Sequence, residues 1–312
     1  MSCFRRYVQF SAFAVLAREL TVKAGVIHPF IHLGFGLEFN QPAIVAQALA
    51  QTAVHKDELG RNFFLPAEKL AGGIGLPGKK SFQQLLDEIR ENEAFARGGK
   101  WSDPLIHGVL KRAPQEMLHY ASQYHVPVEQ LEEREADMVN TVGEWTLFQV
   151  FAAQWETLLT GRMPVYYTMA SQRKEKAIMM DFFFIHSVNS AIFFSTILKL
   201  PFLNQQTKAR LLEWKGRFDL LLYVSGGSPD LRLDDITSHP ATLDWPTIFS
   251  RAVTHPTDDG HMAKLVRAVA HGENVCRALE GSQKMVITGE MWRRIGNMGK
   301  LHSVVYYGIF GS

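Results

Sequence analysis

Histidine is the residue type in which this chain is unusual. Twelve occur among 312 residues, several inside apolar helical context. His28 and His32 stand four apart in the run His28-Pro29-Phe30-Ile31-His32, a spacing that on a helix stacks two imidazoles on one face within reach of one metal ion. Pro29 fits such a helix only in its first turn, which puts His28 at the very start. Taken alone, such a pair is more often hydrogen-bonded in a core or at a surface than ligated, so it needs company. His186 offers some, set in Phe182-Phe183-Phe184-Ile185-His186-Ser187-Val188-Asn189. A buried imidazole there must be satisfied through both nitrogens, by side-chain partners or by a metal plus an acceptor behind it. The third element is Asp258-Asp259-Gly260-His261-Met262-Ala263-Lys264, where Asp258 is placed as an N-cap and His261 and Lys264 share a helix face three residues apart. On a surface helix, Lys264 would be no more than a solvated charge.

Other chemistries find less support. Gly73, Gly75 and Gly78 spell a dinucleotide fingerprint, but a helix-like Pro66 to Leu70 precedes them where a strand is required, and Pro77 removes an amide. Lys80 stands where a phosphate-binding loop needs Ser or Thr. The stretch is expected to be a mobile loop covering substrate rather than a nucleotide site. No G-x-S-x-G elbow occurs, and Cys276 has no local nucleophile signature.

The elements that must position these histidines are helical. Apolar spacing of the 3.6-residue kind dominates and sustained strand alternation is hard to find, so the expected class is mainly α: one compact helical domain with irregular Gly/Pro loops and little or no sheet. Helices are expected from Pro42 to His55, from Phe82 to Ala96 behind a Ser81/Gln84 capping box, across Val128 to Leu159, and over Lys174 to Leu200. Asn204 to Val224, Asp258 to Leu279 and Met285 to Tyr307 complete the set. Composition agrees with a globular protein: 46% apolar residues and 33 Lys plus Arg against 31 Asp plus Glu. The near-neutral charge leaves no basic stripe for nucleic acid. Two cysteines exclude a Cys-rich metal site, and the cytosol is the expected compartment. Phe182 to Leu198 approaches membrane-spanning length, but His186, Ser187, Asn189 and Ser190 at its middle are expensive in lipid, so it reads as core and no membrane partner is expected.

The stretch His28 to Phe39, the Phe184-to-Asn189 block, Leu212-Glu213-Trp214-Lys215-Gly216-Arg217 and Asp258 to Lys264 together resemble the questin oxidase family of fungal polyketide biosynthesis. The resemblance divides the chain into an atypical N-terminal segment, 1–24, and a questin oxidase-like helical domain, 25–312. It implies an Fe(II)- and oxygen-dependent oxygenase that opens a ring of an anthraquinone-like polyketide, with NADPH as the reductant. It also implies a site in which His28, His32 and His186 are metal ligands, His261 is a ligand or its neighbour, and Lys264 is a ligand as a carbamate. In that reading Lys264 and His261 are the catalytic pair.

Chemistry makes sense of the lysine. Imidazoles suit iron but are neutral, and a cage of them leaves the cation uncompensated in a dry pocket. A neutral lysine amine can add carbon dioxide, and the resulting carbamate ligates as a carboxylate does. The apolar walls from Phe182 to Phe194 would exclude water around a flat aromatic substrate. In one respect the chain departs from the family, whose members carry a further histidine-bearing segment ahead of the His28 motif. Met1 to Lys23 does not resemble it, so a truncated start with one ligand missing, and an inactive member of the family, is one expectation. A metal-free helical binder of apolar ligands is the other.

Overall fold

Asp181 shows how local sequence sets up the architecture. Its carboxylate accepts hydrogen bonds from the amides of Phe183 (2.8 Å) and Phe184 (3.0 Å), and so starts a helix, Phe182–Ala191, at the first of three consecutive phenylalanines. The computed structural model describes residues 27–54, 58–75, 80–96, 105–128, 163–172, 174, 177–256, 258–277 and 286–299. Within these the chain is a single helical domain with no strand or sheet.

Three helices matter most for the site: His28–Glu38, Phe182–Ala191 and His261–Cys276. The first begins at His28 with Pro29 in its opening turn, where the missing amide costs nothing. It packs on the Phe182–Ala191 helix, which also packs on His261–Cys276. Close approach is possible because Gly34 lacks a Cβ; one built there would lie 2.1 Å from the Phe193 ring. Arg267 ties the third helix to the first through an ion pair with Glu38 and by lying over the rings of Phe35 and Phe39.

Behind them runs the longest helix among the described residues, Gln205–Ser225, capped by Asn204 and buried on nearly every side. It carries two (i, i+4) ion pairs inside the core. Glu213 meets Arg217 at 2.9 Å and also accepts from the amides of Gly75 (3.0 Å) and Val126 (3.1 Å). Lys215 meets Asp219, and Ser187 donates to Asp219 at 2.5 Å, which pins the residue next to His186. Burial pushes the Asp219 carboxyl up to about 6, against the pull of Lys215. One apolar core collects buried side chains from Ile27 to Met298.

Several expected elements change their bounds. The helix expected from Lys174 starts at Phe182, because Asp181 caps it. The capping box of Ser81 and Gln84 is present, but the helix ends at Glu91, with a separate turn over Glu93–Ala96. Asp258 does not occupy the N-cap itself. Gly260 does, in the left-handed conformation, while Asp258 accepts from the amides of Gly260 and Met262, both at 3.0 Å. The Gly-rich stretch is anchored rather than loose at Gly75, whose amide and carbonyl bond Glu213 and Val128. Residues 76–79, segment 1–24, and the parts of the expected helices over 129–159 and 300–307 lie outside the described residues. Helices over Leu105–Arg112, Pro114–Ala121 and Trp245–Val253 were not expected from the sequence. Phe182 to Leu198 is core, and among the described residues no helix is long and apolar enough to cross a membrane.

Candidate functional site

Three imidazoles from three helices meet where these elements cross. His28 Nε2 and His186 Nε2 are 2.9 Å apart, and the His261 ring centre lies 5.4 Å from that of His186. Phe182 closes one side, its ring 4.6 Å from His186 and 4.8 Å from His261. His186 is 1% exposed. Its Nδ1 donates to the carbonyl of Phe182 at 2.7 Å, one turn earlier, which leaves Nε2 as a lone pair facing His28. Burial lowers the His186 pKa to about 3; the Phe182 carbonyl opposes that, while His28, His261 and Lys264 add to it. His28 is lowered too, by burial first and then by the charges of Lys264 and His261. Both rings are therefore neutral at pH 7, the form that ligates a metal.

His261 repeats the pattern of His186. Its Nδ1 bonds Asp259 Oδ1 at 2.5 Å, which turns the second ring nitrogen, Nε2, away from Asp259. That Nε2 is buried and has no hydrogen-bond partner. Lys264, half-buried one turn along the same helix, is close enough for its charge to act on both His28 and His186.

His32 is not brought into this cluster. Four residues along a helix is about 6 Å along its axis, and there His32 Nε2 meets Gln47 Oε1 at 3.2 Å on an exposed flank. The structure thus groups His28, His186, His261 and Lys264 and leaves His32 beside the Pro42–Val54 helix. Two members of the site were missed in the sequence: Asp259, which orients His261, and the Phe182 carbonyl, which orients His186. The Asp-x-His spacing could have pointed to the first; a backbone acceptor leaves no mark in sequence.

The donor set suits a cation in chemistry. Two nitrogen ligands at right angles on an ion at about 2.1 Å stand about 3.0 Å apart, close to the His28–His186 separation. Two of the three rings have Nδ1 held by an acceptor, which turns Nε2 away from it, as in ligating histidines. Yet among the described residues no group of three or more His, Cys, Asp or Glu side chains has the geometry to hold an ion as it stands.

The family profile described as Questin oxidase-like matches residues 16–269. The chain belongs to the questin oxidase-like family. Among its relatives, the Baeyer-Villiger oxidase ptaJ of Pestalotiopsis fici is 36% identical over 284 residues, covering 88% of this chain and 59% of the relative. The Baeyer-Villiger oxidase mdpL of Emericella nidulans is 34% identical over 286 residues, covering 88% and 58%. The questin oxidase of Aspergillus fumigatus is 32% identical over 286 residues, covering 88% and 59%. The chain thus spans somewhat under two thirds of the length of these questin oxidase-like relatives. The matched region includes all four clustered residues.

Proposed function

We propose that this chain is an oxygenase of the questin oxidase type, which uses non-haem Fe(II) and oxygen to open a ring of an anthraquinone-like polyketide in secondary metabolism. The observation that carries the proposal is three imidazoles drawn from three helices beside a lysine, two of them with Nδ1 held by an acceptor, in a member of this family. Relatives named Baeyer-Villiger oxidases and questin oxidases support oxygen insertion beside a quinone carbonyl as the reaction class. In balance, one oxygen atom enters the ring beside the carbonyl to give a lactone, which a molecule of water then opens to the hydroxy acid, and the other oxygen atom leaves as water, with two electrons and a proton from NADPH. A second proton comes from solvent.

His28, His186 and His261 would hold the iron, with Lys264 as the fourth donor once carbamylated. When bound, iron supplies activation of oxygen against an electron-rich ring. The chain's own residues do the rest. The Phe182 carbonyl and Asp259 keep Nδ1 protonated on His186 and His261, so that neither ring turns over. Phe182 and the apolar residues around it keep water from the site. The test is elemental analysis of the purified chain together with oxygen uptake in the presence of an anthraquinone. Iron near one per chain with quinone-dependent uptake is the expected result. Zinc without oxygen uptake would redirect the assignment to a metallohydrolase.

That no three His, Cys, Asp or Glu side chains among the described residues stand as an ion's ligands favours a second reading, a metal-free helical module that binds an apolar ligand. It predicts unchanged ligand affinity when His28 and His186 are both replaced by Ala, where the oxygenase reading expects the double variant to lose iron and turnover.

A further inference from the structure

Asn189 is buried, 3% exposed, and neither Oδ1 nor Nδ2 of its carboxamide has a hydrogen-bond partner. This sets it apart from its polar neighbours on the same helix. His186 is bonded at both ring nitrogens, Ser187 donates to Asp219, and Ser190 donates to the carbonyl of Ser187. A buried amide with both ends open is costly, because it has given up two contacts with water and regained none. Such a group is retained where something else completes it.

Its place on the helix says what that is. Asn189 lies three residues beyond His186 and four before Phe193, one stripe on a helix. His186 touches His28, and Phe193 lies against Gly34 and Phe35, with the Phe35 and Phe193 ring centres 4.9 Å apart. Asn189 therefore sits midway along the seam between the first helix and its own, with the histidine cluster at one end and the edge-to-face pair of Phe35 and Phe193 at the other. A carboxamide presents a donor and an acceptor side by side. The complementary ligand edge is a carbonyl oxygen next to a hydroxyl, flanked by a flat apolar body.

We propose that Asn189 is a substrate-binding residue that reads a carbonyl and an adjacent hydroxyl on the edge of an aromatic quinone, holding that edge one helical turn from His186. The inference rests on the quinone reading above and adds to it the residue that sets orientation.

The test needs no iron and no turnover. Metal-free wild type and Asn189→Leu are titrated with a dihydroxyanthraquinone whose hydroxyls flank one carbonyl, and with its dimethyl ether, following the visible absorption of the quinone; melting temperatures are recorded alongside. Wild type is expected to prefer the dihydroxy compound. The Leu variant should lose about ten-fold or more in affinity for it, lose little for the ether, and melt no lower than wild type, since an unpaired amide has been removed. Equal affinities for the dihydroxy compound in wild type and variant would overturn the proposal, and would mean that a buried water completes the amide. Equal loss of both compounds together with a lower melting temperature would assign Asn189 to packing and overturn it as well. A wild type that binds neither compound would instead overturn the quinone reading, and this inference with it. If the Leu variant does not fold, Asn189→Ala is read by the same criteria.

Discussion

His186 shows what burial does to a single imidazole. Its folded pKa of about 3 lies far below the 6.5 of an exposed ring. Between these values the unfolded chain binds a proton that the folded chain refuses, so stability rises with pH through that window and is lost as pH falls toward 3. Asp219, raised by burial to about 6, works in the opposite sense over the upper part of the same range, its contribution lost as pH rises through 6. The two are separable by difference. In the metal-free protein, the loss of melting temperature on acidification from pH 6.5 should be smaller in His186→Gln than in wild type, while the Asp219 component remains in both. A His186→Gln profile parallel to that of wild type would mean that His186 is already charged in the folded state. At this scale the sequence was partly legible. The histidines stood out because imidazoles are rare in apolar runs, and three of the four gathered as expected. His32 failed because (i, i+4) spacing fixes a shared face but not the height along the axis at which a partner helix crosses.

Helices were legible where caps and apolar spacing agreed, as at Ser81 and Asn204, and less so where a single side chain overrode the pattern. Asp181 starts the aromatic helix at Phe182, where periodicity alone would have begun it at Lys174. The long helix posed the reverse difficulty. Glu213, Lys215, Arg217 and Asp219 look like a solvated face in sequence, yet all four are buried and paired. Their alternate pairing at four-residue intervals was the available sign, and only tertiary packing reveals that water is excluded. The consequence is a large difference between two side chains that accept from backbone amides, the Ser81 hydroxyl and the Glu213 carboxylate. Ser81→Ala, which removes an exposed cap, should cost about 1 kcal/mol. Glu213→Ala, which strands Arg217 inside the core and releases the amides of Gly75 and Val126, should cost about 3–5 kcal/mol. Urea denaturation of the two variants measures both; equal costs would mean that the Glu213 pair is hydrated.

For the molecule as a whole, the mainly helical class followed from periodicity, and the single domain from the lack of any linker-like stretch. The core that runs from Ile27 to Met298 gives that a thermodynamic form. Helices that share one core cannot lose it separately, so unfolding followed by far-UV circular dichroism and by tryptophan fluorescence should give coincident midpoints. Trp214, stacked on Phe64, and Trp292, against Gly272, report from opposite parts of the chain. Two separated transitions would show that the elements around the histidines form a unit of their own. What the sequence could not supply at this scale was the crossing of the three site helices, which depends on Gly34 admitting Phe193 and on Arg267 reaching Glu38, contacts between residues far apart in the chain.

The central claim, that imidazoles from three helices share one ion, is tested most directly by anaerobic calorimetric titration of the metal-free chain with Fe(II). The account predicts one site per chain, lost in His186→Ala, weakened about 10–100-fold in Asp259→Ala as the orienting partner of His261 is removed, and unchanged in His32→Ala. Absence of binding to the wild type, or binding that survives His186→Ala, would contradict it.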